Sequence, residues 1–210
     1  IVTGVQTCAL PISPGVRARK VNPWNIPLLA AVTRTPPSLP ELKGRSEDLQ
    51  PMVARILPGL FPDNPITLEG LDTVYLSSEK ALELKVGQVN ALLAWLHAGG
   101  HLVVGIEQTL QVTGNEWLRR LLPCELTGMS TLTNHAALQE WVIGERRRND
   151  PVAPSRGNSG PAAGNAANPF AGLAPDAAFE QAPLQVATGS PRDGAVLVGS
   201  PENPLAIIAQ

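Results

Sequence analysis

Few side chains in this sequence can carry chemistry, and most of them read as structural. Thiols and imidazoles are confined to Cys8, Cys124, His97, His101 and His135. A cysteine nucleophile needs a lowered thiol pKa or an adjacent base. Cys124 follows Leu122-Pro123 at a helix end, an apolar setting that suits a buried, inert thiol. Glu107 is the best single candidate for a site residue. It follows the apolar run Leu102-Val103-Val104, so it falls where ligands of open α/β sheets bind, outside the carboxyl ends of the strands. A solvated loop carboxylate is the plainer reading. Gln108 and Thr109 share that loop. Ser77 and Ser78 follow the run Thr73-Val74-Tyr75-Leu76, which places them at the same sheet edge. His101 opens the strand that leads to Glu107 and reads first as a solvated or hydrogen-bonded imidazole. Glu107, His101, Ser77 and Ser78 are therefore the candidate ligand-binding set. No catalytic set, metal-ligand spacing or cofactor motif is legible beside them. Arg146, Arg147 and Arg148 read as solvated charges. Gly99-Gly100 is no phosphate loop, because it precedes a strand rather than a helix.

The elements that must position these residues lie between Leu71 and Ile106. Thr73 to Leu76 is β-branched and aromatic, as suits a strand packed on both faces. Ser77 and Ser78 offer hydroxyls to a helical start, with Glu79 in the favourable first turn. Val86, Val89, Leu92, Leu93 and Leu96 recur at helical spacing and predict one apolar stripe. Gly99 can take the left-handed conformation that closes a helix, and Gly100 lets the chain turn. Leu102 to Val104 predicts a central parallel strand. Two parallel strands need such a crossover. The fold class is therefore α/β, with an open, mostly parallel sheet.

Punctuation divides the rest. Ser13 to Asn25 is a polar, basic lead-in. Ile26 to Val32 predicts a strand, which Pro27 restricts to an edge or to its first residues. Asp48 is a cap for a predicted helix with Leu49, Met52, Val53, Ile56 and Leu57 on one face, stopped by Pro58-Gly59. After Ile106 a polar loop leads to a helix over Asn115 to Leu122, ended by Pro123. A strand at Glu125-Leu126 or Thr131-Leu132 and a helix over Ala136 to Ile143 follow. From Gly144 to Pro183 the chain is rich in Ala, Pro, Gly, Asn and Ser and reads as a disordered insertion, too poor in apolar surface to offset its ordering entropy. Leu184 to Thr188, Ala195 to Val198 and Leu205 to Ala209 predict three short strands that complete the same domain. The domain is thus read as 26–143 plus 184–210.

Composition narrows the function classes. The 210 residues carry a formal net charge of −2, which argues against a nucleic-acid partner. Pro and Gly number 21 and 19, above the usual share. Two cysteines make neither a disulfide framework nor a zinc site. Apolar runs are a few residues long, whereas a membrane helix needs about 20. Any membrane attachment is expected through segments outside this chain.

Two resemblances add to this reading. The opening IVTGVQTCALPIS resembles the translation of a common sequencing adapter, so residues 1–13 are set aside from fold reasoning and Cys8 with them. The pattern LDTVYLSS, LLAWLHAGGHLVV and WLRRLLP resembles the glutamine amidotransferase-like domains of uncharacterised bacterial envelope proteins, over Pro65 to Cys124. The ending NPLAIIAQ resembles the strand that precedes a membrane anchor in such proteins. The resemblance implies a flavodoxin-like sheet with helices on both faces, incomplete at both ends here, in a larger protein at the bacterial cell envelope. Class I glutamine amidotransferases place a cysteine in a Gly-x-Cys-x-Gly elbow and carry a later His-x-Glu pair. Here His-Leu-Val-Val-Gly runs into Ile106-Glu107, and none of the three histidines begins His-x-Glu. Both halves of the thiolate chemistry are missing.

Two functions stay open. One is a non-catalytic α/β interaction or scaffold module with protein partners. The other is a small-ligand binder or degenerate hydrolase using the loop after Ile106, which requires Glu107, His101 and Ser77 or Ser78 to converge on one cleft. The first is the expectation.

Overall fold

The computed structural model describes residues 26–37, 39, 50–133, 138, 177–199 and 204–209. The adapter-like segment 1–13, the lead-in 14–25, the Asp48 cap, the helix expected over 136–143 (Leu138 apart) and residues 144–176 lie outside them.

Four strands form one parallel sheet: β1 (Leu28–Val32), β2 (Met52–Arg55), β3 (Thr73–Ser77) and β4 (His101–Gly105), in the order β2-β1-β3-β4. Pro27 sits just before β1, so its missing N–H costs the ladder nothing and β1 is internal. Asp72 fixes the lower end of the sheet. Its carboxylate accepts the Leu28 N–H at 2.7 Å, and its own N–H donates to the Leu28 carbonyl at 3.0 Å. β3 and β4 pair in parallel from Thr73–His101 to Ser77–Gly105. The crossover between them is the expected β-α-β unit.

Its helical part is split. Ser77 caps α1 (Ser78–Ala81), accepting the Lys80 N–H at 3.4 Å, but α1 is a single turn. The main crossover helix is α2 (Val86–His97). Its buried face differs from the expected stripe. Val86 is 77% exposed, while Gln88, Val89, Ala91, Leu92 and Trp95 are buried. Val86 is the first residue of α2, beyond the end of the core. Gln88 is buried because it is satisfied: Nε2 donates to the Pro58 and Phe61 carbonyls at 2.9 and 2.6 Å, and Oε1 accepts the Lys85 N–H at 2.8 Å. Gly99 takes φ +102° and closes the helix. A Cβ on Gly100 would lie 2.4 Å from the Trp95 indole.

Two expectations are corrected here. The segment 49–57 does not continue as a helix, because Met52–Arg55 is a strand parallel to β1. Pro51 and Pro58 leave six residues between them, fewer than two helical turns, and Val53 and Ile56 are β-branched. The strand β4 is not central. It is an edge of the described sheet, and Val103 is half exposed.

Past β4 come α3 (Thr109–Thr113), α4 (Glu116–Leu121) and β5 (Cys124–Leu132). The short α3 replaces the expected polar loop. Asn115 caps α4 by accepting the Leu118 N–H at 3.5 Å. Within the tract read as disordered, Ala177–Gln181 form a one-turn helix, α5, consistent with its Ala-Ala-Phe-Glu-Gln composition. The three C-terminal strands exist as β6 (Leu184–Pro191), β7 (Ala195–Gly199) and β8 (Pro204–Ile208). They do not extend the parallel sheet. β5 pairs antiparallel with β6, with a bulge between Leu126 and Gly128, and β7 pairs with β8.

One core joins the sheet to the helices. Ala30, Val32, Val74 and Leu76 alternate onto one sheet face and pack with Leu92, Trp95, Val112, Leu118 and Leu122. The class is α/β with a four-stranded parallel sheet. No described helix is long and apolar enough to cross a membrane.

Candidate functional site

The parallel sheet has one carboxyl edge, and four connections leave it there. The switch point falls between β1 and β3, whose connections run in opposite directions. The Arg34–Glu79 ion pair, 3.2 Å, bridges the residues that follow these two strands. Thr33, the first residue after β1, is buried.

Ser77, Ser78 and Glu107 meet at this edge. Ser78 is fully buried, and both capacities of its hydroxyl are used. It accepts the Glu107 N–H at 3.0 Å and donates to Gln111 Oε1 at 2.5 Å. The chain beyond β4 is thereby tied to the start of α1 and to α3. Ser77 is also fully buried and spends its oxygen on the α1 cap. Neither hydroxyl reaches solvent. Ile106, just past β4, packs against the core, and Glu107 beside it is exposed.

His101 lies at the other end of the sheet. It pairs with Thr73 at the amino end of β3, four residues below Gly105, about 13 Å along the strand. Its Nδ1 is 3.2 Å from the Asp72 carbonyl, the geometry of an imidazole N–H donating to a backbone oxygen. The four candidate residues thus divide into Ser77, Ser78 and Glu107 at one edge and His101 at the opposite one.

Tyr75 and Gln111 belong to the edge but were not legible as such. A Cβ on Gly105 would lie in collision with the Tyr75 hydroxyl, so the phenol crosses directly over the end of β4. Burial raises the Tyr75 pKa above its ordinary value, and the negative charge of Glu107 raises it further. Alternation along β3 could have placed Tyr75 on the sheet face opposite Val74 and Leu76. Gln111 carried no signal, because α3 is too short for a helical period.

Cys124 starts β5 in a partly buried position. Burial pushes its thiol up, and Arg192 opposes that rise. A cleft of about 290 Å³ beside it is lined, among the described residues, by Arg119, Arg120, Arg192, Glu125 and Val112. Arg192 is largely committed, donating to the Arg120 and Leu122 carbonyls at 3.2 and 2.9 Å and to Asp193 at 3.3 Å. Among the described residues no group of three His, Cys, Asp or Glu side chains could hold a metal ion.

A second cleft, about 460 Å³, opens on the carboxyl edge between Leu60, Asp63, Lys85 and Gly87. Large apolar side chains surround this edge. Leu57 and Leu60 follow β2, Leu82 follows α1, Val86 opens α2 and Leu110 lies in α3. They are 51%, 76%, 53%, 77% and 79% exposed.

No protein-family model, curated protein or solved structure matches this chain.

Proposed function

We propose that this chain is a non-catalytic α/β module, flavodoxin-like in its sheet, that mediates protein contacts within a larger bacterial envelope protein. The observation that carries this reading is the state of Ser78. Its hydroxyl is buried and doubly hydrogen-bonded to Glu107 N–H and Gln111, which closes the elbow that catalytic members of the resembled family keep open. Burial raises the Cys124 pKa, and no histidine among the described residues lines its cleft, which supports an inert thiol over an activated nucleophile. The parallel order β2-β1-β3-β4 agrees with the first four strands of a flavodoxin-like sheet. The envelope assignment rests on the resemblance alone. Further support comes from Leu57, Leu60, Leu82, Val86 and Leu110, large apolar side chains exposed after the strands of the sheet, of the kind that interaction surfaces use.

The test has two arms. The chain is assayed against glutamine and chromogenic amides and esters, beside Glu107→Ala and Cys124→Ser. The expected result is no turnover above buffer in any of them. Turnover lost on either substitution overturns the reading. In the second arm a photo-crosslinking side chain replaces Leu60 or Leu110 in the full-length protein in its source cells, with exposed Arg119 as control. Protein adducts are expected from the two edge positions and not from the control. Adducts from none of the three overturn the contact role.

A further inference from the structure

We draw no further inference here: the strongest candidate, the arginine-lined cleft of about 290 Å³ beside Cys124, between α3, α4 and β5, carries nothing because Arg192 is spent on the Arg120 and Leu122 carbonyls and on Asp193, Arg120 pairs with Glu116, Arg119 is exposed, and nothing among the described residues shows what would occupy it.

Discussion

Tyr75 is the only tyrosine in the chain, so its titration can be read without interference. Its pKa is raised above 10.0, first by burial and then by Glu107. Between the unfolded and folded values, the native chain keeps a proton that the unfolded chain has released. Stability from this group is therefore unaffected well below pH 10 and falls as pH rises through that window. An alkaline titration of phenolate absorbance is expected to show a midpoint above that of free tyrosine. Glu107→Gln lowers the midpoint part of the way, since burial remains. An unmoved midpoint would mean that the carboxylate does not face the ring. The same residues show what was legible at this scale. Ser77, Ser78 and Glu107 follow strands of one parallel sheet, so their common edge could be read from the order of runs. That Ser78 spends its hydroxyl inside the fold could not, because Gln111 lies 33 positions away in an element without a sequence signature. His101 opens β4 and Glu107 follows it, so topology alone separates them.

At the scale of elements, punctuation residues gave the surest guidance. Gly99 and Gly100 marked the corner between α2 and β4, and the structure assigns each a different reason. Gly99 supplies the positive φ, whereas Gly100 makes room for Trp95. Gly100→Ala forces a methyl into a buried indole and is expected to cost about 1–3 kcal/mol, measured by thermal or urea unfolding. A cost near zero would show that Trp95 moves aside freely. Where punctuation and periodicity conflicted, periodicity misled. Met52, Val53, Ile56 and Leu57 have helical spacing, yet the prolines on either side leave no length for a helix. The open side of β1 then captures the segment as β2. The α2 stripe failed at its end for a related reason: Val86 fits the period but projects past the core.

Across the whole molecule, two unlike parts meet at Arg192. The parallel sheet and its helices form one core, and β5 with β6 forms an antiparallel ribbon. Arg192, just past β6, donates to the Arg120 and Leu122 carbonyls at the end of α4, while its own N–H and that of Asp193 reach the Pro123 carbonyl at 2.8 and 3.2 Å. A cation at a helix carboxyl end answers both the free carbonyls and the dipole. Arg192→Met keeps the stem and removes the donors. It is expected to cost about 1–2 kcal/mol and to speed amide exchange in β5 and β6 ahead of β1 and β3. Equal exchange in both parts would show that the ribbon is held by something else.

Sequence alone determined the class of this protein, because a strand, a helix and a second strand joined by a glycine corner leave a parallel crossover as the compact solution. It also determined which residues share the carboxyl edge, since every parallel strand ends on the same side. Tertiary structure decided the rest. It made β4 an edge of the described sheet, set β5 to β8 apart in antiparallel pairs, turned 52–55 into a strand and tied the chain beyond β4 to Ser78. Each of these depends on partners far along the chain. The free energy of a buried hydrogen bond or a strand pairing exists only once both members have been brought together.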